Sequence, residues 1–226
     1  MKIWHISDTH AMHGWLKVPE VDMVIHSGDC SNHSNPYLNE QEVLNFLEWY
    51  GSLDIKHKIF VAGNHDTSIE KRLVTPADIA AKGIVYLENA STQIEGLNIW
   101  GTPCTPEFGV GWAWNRKREK MYKVWDSIPE NTDIVISHGP PKGVLDLSYN
   151  RSNDLEYCGC SNMKKKMLEL QPKLCLFGHI HNFKEITNAG TMQVYGCETI
   201  FSNGACAHDG KFMEMNYFKN GNIIEI

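Results

Sequence analysis

The sequence has no surplus of positive charge: 21 Lys and Arg stand against 27 Asp and Glu, for a formal net charge of −6. Without a basic field, broad binding to nucleic acid through phosphate neutralisation is disfavoured. It also lacks a C-x-x-C pair of zinc-finger spacing. Its seven cysteines (Cys30, Cys104, Cys158, Cys160, Cys175, Cys197 and Cys206) are odd in number and scattered, a pattern that fits reduced thiols in a cytoplasmic protein. No apolar run approaches the length of a membrane span, so no membrane partner is expected. Met1 to Ile6 reads as a strand and not as a signal peptide. Internal repeats, low-complexity segments and linkers are absent too. With 226 residues, what remains is one α/β domain over residues 1–226 with room for a substantial core.

Apolar runs ending in small polar clusters are what the sequence does have. Ile3–Ser7, Val21–Ser27, Lys58–Ala62, Asp133–Ser137 and Lys173–Phe177 read as buried strands. Helices are expected from about Asn39 to Tyr50 with Gly51 as the C-terminal cap, after the Thr75-Pro76-Ala77-Asp78 start signal, over Trp114 to Ile128, and from Ser161 to Leu170. Asn89 and Glu95-Gly96 break three short strands, the latter as a hairpin turn. The tail holds strand-like runs at Met192–Tyr195, Phe212–Phe218 and Ile223–Ile226. A β-β-α-β start followed by an antiparallel-looking tail predicts an α/β fold of two packed mixed sheets with helices outside.

Each buried strand ends in chemistry. The segments are Asp8-Thr9-His10, Gly28-Asp29, Gly63-Asn64-His65-Asp66, Ser137-His138-Gly139 and Gly178-His179-Ile180-His181. Any one of them is explained by turn formation alone, since Gly, Asn and Asp are turn residues. Five at the carboxyl ends of strands, where open α/β sheets build their crevices, argue for a metal site. Imidazole, carboxylate and amide oxygen suit Mn, Fe, Zn or Ni better than they suit a thiolate-bound structural zinc. Asp8, His10, Asp29, Asn64, His138, His179 and His181 are too many for one tetrahedral ion and about right for two. An Asp bridging such a pair would hold the ions ~3.5–4 Å apart, and a bridging water would be a nucleophile near neutral pH.

The ordered blocks D-x-H, G-D, G-N-H-D, G-H and G-H-x-H resemble the calcineurin-like metallophosphoesterase superfamily over residues 3 to about 185. Ile25–Asp29, Gly111–Asn115, Ser137–Pro141 and Phe177–His181 look like the small metallophosphoesterase-domain-containing proteins, whose members hydrolyse phosphodiesters including cyclic nucleotides. The resemblance implies a β-sandwich flanked by helices and two divalent ions, Mn foremost. It further implies hydrolysis of a small phosphodiester by a metal-bridging hydroxide. Asp8, His10 and His181 would hold one ion and Asn64, His138 and His179 the other, with Asp29 between them. His65 would face the substrate phosphate and act as the acid. Asp66 would orient its ring. Asn64, His65 and Arg151 are the candidate substrate contacts. Trp112 and Trp114 read as buried anchors, with base stacking as the alternative. His13 and His33 read as solvated loop residues near the motifs, His26 as a core histidine, and His5, His57 and His208 as ordinary ones. A phosphomonoesterase, a nuclease or a catalytically dead scaffold are the other readings. The scaffold fits poorly with a complete ligand set.

Overall fold

Apolar strands with both faces covered pair in parallel, and here they do so in two sheets. The computed structural model describes residues 1–150, 152–211 and 214–226. The first sheet contains β1 (Lys2–Ile6), β2 (Met23–His26), β3 (His57–Phe60) and β4 (Val85–Tyr86), all parallel. The second contains β5 (Ala90–Ile94), β6 (Leu97–Thr102), β7 (Ile134–Ser137), β8 (Leu174–Phe177), β9 (Gly190–Gln193) and β10 (Ile200–Asn203). A last strand, β11 (Asn222–Glu225), returns to pair antiparallel with β1, so the sheet orders are β11-β1-β2-β3-β4 and β9-β10-β8-β7-β6-β5. Both sheets are mixed because antiparallel strands (β11, β9 and β5) close their edges.

Alternation along the strands decides which side chains meet. Ile3, Met23, Ile25 and Ile59 of the first sheet share one buried cluster with Ile99, Ile134, Ile136, Leu174 and Leu176 of the second. That cluster is the layer between the sheets. The opposite faces join a second cluster, in which Trp4, Val24 and Phe60 meet Val43, Phe46, Leu47 and Tyr50 of α1 (Pro36–Ser52). The Tyr50 hydroxyl bonds the carbonyls of Val24 and Ile59, tying α1 to two neighbouring strands. Met163 and Met167 of α2 (Ser161–Leu170) belong to the same outer cluster as Val135, Cys175 and Phe177. His5 bridges the sheets, with Nδ1 at 2.7 Å from Ser202 Oγ and Nε2 at 2.9 Å from Ser27 Oγ; burial lowers its pKa to about 3, so the ring is neutral.

Most local signals hold. Thr75 and Asp78 form a reciprocal capping box on a short helix, Pro76–Ala80. The hairpin turns at Glu95 and Gly96, both with positive φ (50° and 80°). Three expectations fail. Gly51 does not cap α1, which runs on to Ser52 and stops at Leu53. The helix expected over 114–128 is replaced by a strand pair between Thr105–Pro106 and Asn115–Arg116, then single turns at Arg118–Lys120 and Tyr122–Trp125. Tertiary bonds take the backbone that helix needed: the carbonyls of Trp114 and Arg116 accept from Thr105 N and Glu107 N. In the tail, Ile200–Asn203 forms a strand that lay outside the runs singled out, and Met215–Tyr217 makes a single 3-10 turn where a strand was expected. Arg151, and Phe212 at the start of the run read as strand over 212–218, lie outside the described residues.

Candidate metal centre

The carboxyl ends of β1, β2, β3, β7 and β8 converge on one cleft, and the loops leaving them are strained. Asp8 (φ 53°), His10 (43°), Asp29 (58°) and His179 (70°) all occupy the left-handed region that side chains with a Cβ avoid. Each such residue costs of order 1–3 kcal/mol, and strain of this kind concentrates at functional sites. Two glycines make the crowding tolerable. A Cβ on Gly63 would collide with the Asp29 carboxylate and one on Gly178 with the Asp8 carboxylate, so each ligand-bearing loop runs directly against the next.

Three groups of side chains result: Asp8 with His10 and His181, Asp29 with His138 and His179, and His10 with Asp29 and His65. In the first, His181 Nε2 lies 3.0 Å from Asp8 Oδ1 and 3.3 Å from His10 Nε2. In the second, His138 Nε2 lies 3.3 Å from Asp29 Oδ2 and 2.9 Å from Asn64 Oδ1. Asp29 belongs to both the second and the third group and so stands between the two ends of the cleft.

The outward ring nitrogens decide what the inward ones can do. His10 Nδ1 faces the Ser31 carbonyl at 3.2 Å and His138 Nδ1 faces the Ser27 carbonyl at 3.0 Å. A carbonyl only accepts, so each Nδ1 carries a proton, and in the neutral ring each Nε2 presents a lone pair to the cleft. His181 Nδ1 is held the same way, 2.7 Å from the Asp209 carboxylate. Lone pairs therefore face lone pairs, or carboxylate and amide oxygens, at 2.9–3.3 Å. A proton on Nε2 or a divalent cation between the groups removes that conflict, and the donor set fits divalent metal. The same demand appears as shifted protonation. Burial would lower His138 and His181, but Asp29 lifts the first to about 9 and Asp8, with Asp209, lifts the second to about 10. Burial would raise both carboxyls, yet His181 holds Asp8, and His138 with His65 holds Asp29, well below the usual range. Burial lowers His10 to about 4 and His179 to about 3, leaving them neutral as ligands must be.

A family model for calcineurin-like phosphoesterases matches residues 1–183, across all five of these loops. The chain belongs to that family. Metallophosphoesterase domain-containing protein 1 of Homo sapiens is 31% identical over 212 residues, covering 82% of this chain and 62% of that protein, so the chain spans about three-fifths of that relative's length. UPF0046 protein C25E10.12 of Caenorhabditis elegans is 32% identical over 221 residues, 90% of this chain and 74% of that one. The crystal structure of phosphopantetheinyl hydrolase from Mycobacterium tuberculosis superposes with a TM-score of 0.60 at 14% identity, covering 93% of this chain and 90% of that one, a likeness of fold. The calcineurin-like phosphoesterases are metal-dependent phosphoesterases, and the groups above are this chain's candidate donors for a divalent ion.

Asp66 departs from its expected role. It makes no contact with the His65 ring, whose Nδ1 lies 3.4 Å from the Asn32 carbonyl. Its buried carboxylate accepts from the backbone N–H groups of Gly63 (2.7 Å), Asp29 (3.0 Å) and Ser31 (3.0 Å) and from the Ser31 hydroxyl (2.6 Å). Asp66 thus shapes the loop that carries Asp29. His65 is partly exposed, with Nε2 3.9 Å from Asp29 Oδ2. The two tryptophans separate: Trp114 is buried as an anchor, whereas Trp112 is exposed against the His65 ring. His13 is buried between Phe46 and Trp49 and not solvated, because the turn after His10 folds onto α1. His26 is a core histidine, its Nε2 3.0 Å from Thr9 Oγ1.

Among the described residues, Asp209 is a candidate site residue that motif spacing missed. The short parallel pairing of Asn182–Phe183 with His208–Asp209 brings it to His181 from the tail, beyond the matched region. Carboxylates that orient ligand imidazoles typically carry ~10–100-fold in metal affinity. Asp209→Ala is therefore expected to lower divalent-ion affinity at the Asp8, His10 and His181 group by that factor without unfolding the protein, since the Asp209 side chain is more than half exposed. Titration of chelator-stripped protein with Mn²⁺ reads this directly; two unaltered binding steps would contradict the orienting role.

Proposed function

We propose that the chain is a dinuclear phosphodiesterase acting on a small, cyclic-nucleotide-like phosphodiester. The observation that carries this reading is the position of Asp29, one carboxylate within reach of His138 and His179 on one side and His10 and His65 on the other. Asp8, His10 and His181 would hold one ion and Asn64, His138 and His179 the other, with Asp29 shared. Mn is the proposed metal, with Fe, Zn or Ni as the other candidates. When bound, such a pair supplies an activated water and draws charge from the phosphate oxygens.

The chain's own groups do the rest. The Nδ1 contacts to Ser31, Ser27 and Asp209 aim His10, His138 and His181 before substrate arrives. Asn64 and His65 line the substrate side of the cleft, and His65 Nε2 delivers a proton to the leaving oxygen. The strongest electrostatic neighbours are imidazoles and Asp29 for Asp8, and imidazoles for Asp29, not Lys or Arg. Such a cleft suits a diester monoanion better than a monoester dianion. All seven cysteines are free, in keeping with a cytoplasmic location. The pairing of β11 with β1 supports residues 1–226 acting as one domain.

The test is kcat/KM for bis-p-nitrophenyl phosphate, 2′,3′- and 3′,5′-cyclic nucleotides and phosphomonoesters, with metal content measured on the same sample. Diesters are expected to exceed monoesters by at least about ten-fold. A monoester value at or above the diester value contradicts the assignment, and absence of both metal and turnover after Mn²⁺ addition points to a scaffold.

A further inference from the structure

The chain turns from uncharged to strongly basic at one point of its surface. Residues 108–115 carry no charge, and five of the 21 Lys and Arg then fall within residues 116–123, against the single acid Glu119. That stretch runs counter to a molecule whose formal net charge is −6. Arg116, Lys117, Arg118, Lys120 and Lys123 are all exposed, and none of them is in an ion pair among the described residues. Arg118 donates to the carbonyls of Cys158 (3.0 Å) and Gly159 (3.3 Å), neutral partners that leave its charge uncompensated.

The uncharged residues form a loop that stands on this basic foot. Glu107 N donates to Arg116 O at 2.7 Å and Phe108 N to Asn115 Oδ1 at 3.3 Å, closing the loop at its base. Ala113 N to Asn64 O (3.1 Å) and Trp114 N to Glu70 Oε1 (2.7 Å) pin its returning limb. Phe108 and Trp112 lean on each other, ring centroids 5.6 Å apart, and on the rings of His179 and His65. Between them, flanked by Gly109 and Gly111, Val110 is 98% exposed. A lone exposed valine needs no explanation, but Phe108 (42%) and Trp112 (38%) extend this one into an apolar tip. Apolar tip, aromatic shoulders and cationic foot match, in order of depth, the hydrocarbon, the interface and the phosphates of an anionic bilayer. A nucleic acid or an acidic peptide would engage the foot and leave Val110 in water. We infer that the loop and the basic stretch behind it dock the protein on an anionic lipid surface. The contact is with one face of the bilayer; no helix among the described residues is long and apolar enough to cross it. Hydropathy along a chain registers spanning runs and not a loop tip, so the expectation of no membrane partner does not bear on such a contact. The inference goes beyond the phosphodiesterase reading and does not depend on it.

The test is co-sedimentation of the full chain with phosphatidylcholine vesicles that contain or lack phosphatidylserine, at low and high salt, with and without chelator. Wild type is expected to partition onto the anionic vesicles at least about ten-fold more than onto the neutral ones, and to lose that difference at high salt. Val110→Asp should weaken the partition at least about ten-fold, and Val110→Leu should preserve it. Lys117→Glu combined with Lys120→Glu should weaken it by about 25-fold or more, at about five-fold for each charge near the surface. All three positions are exposed, so the unfolding temperatures should match wild type, which separates lost docking from lost fold. Chelator should change nothing, because none of the candidate metal ligands lies in the loop or the basic stretch. Absence of partition onto either vesicle overturns the inference, as does partition that Val110→Asp leaves unchanged. Binding abolished by chelator would belong to the metal cleft and equally overturns it. So would binding of a single-stranded oligonucleotide that needs Lys117 and Lys120 but not Val110, in a protein that ignores vesicles; the basic stretch would then serve nucleic acid.

Discussion

Replacing Asp29 with Ala is expected to abolish turnover and to release both ions, whereas His10→Ala should leave one ion bound and measurable residual activity. The difference follows from connectivity. Asp29 Oδ2 is 3.3 Å from His138 Nε2 and 3.9 Å from His65 Nε2, and Asp29 groups with His10 as well. His10 belongs to the groups at one end only. Metal-derived charge stabilisation is worth several kcal/mol, and at about 1.4 kcal/mol per tenfold its complete loss exceeds a thousand-fold. Asp29→Ala also leaves the His65 N–H without the 2.8 Å bond it makes to Asp29 Oδ1, so Asp29→Asn is the companion variant that can keep that acceptor while losing the charge. Metal analysis and kcat/KM on all three proteins decide the matter. Equal residual activity in the Asp29 and His10 variants, with two ions still bound, would remove Asp29 from the shared position.

His65→Ala should retain both ions and lose ~10²–10⁴-fold in turnover of alkyl or nucleoside diesters, the range for a positioned general acid. Against a nitrophenyl diester the loss should be much smaller, because a nitrophenolate departs without a proton. His65 is placed for this role, its Nε2 3.9 Å from Asp29 Oδ2 and its side chain bordering a recess beside Trp112. Attack on phosphorus makes no demand on it. An equal loss for both leaving groups would mean that His65 stabilises charge instead of donating a proton. Loss of an ion would make His65 a ligand, a role its membership in the third group makes worth testing.

The parts of this molecule that were legible from sequence are those governed by local rules. Buried strands such as Ile134–Ser137 and Leu174–Phe177 announce themselves as continuous apolar runs, and the Thr75–Asp78 capping box is a four-residue pattern. The seven polar residues gathered in the cleft were legible because each follows directly on such a run. What stayed hidden depended on contacts made across the chain. Mixed charges over 114–128 look helical until the 105–107 segment claims the carbonyls of Trp114 and Arg116 at its start. Asp66 reads as the partner of the neighbouring His65, but its carboxylate turns inward to a loop more than 30 residues away in sequence. Asp209 has no motif around it; only the Asn182–Phe183 pairing makes it a neighbour of His181. Trp112 and Trp114 are indistinguishable by type and differ only in which way the pinned loop turns them.

The ligand groups also differ in when a growing polypeptide can complete them. Asn64, His138 and His179 reach their positions through β3, β7 and β8, and Asp29 is braced by Asp66, so every member of that set has been synthesised by residue 179. The Asp8 set takes His181 almost as early, but the carboxylate that steadies His181 arrives 28 residues later, and β1, which carries Asp8, gains its outer neighbour only with Asn222–Glu225. Chains emerge from the ribosome N-terminus first, at ~5–20 residues per second. Vectorial synthesis thus completes the candidate Asn64, His138 and His179 group seconds before the Asp8 group gains its Asp209 support and the β11 neighbour of its strand.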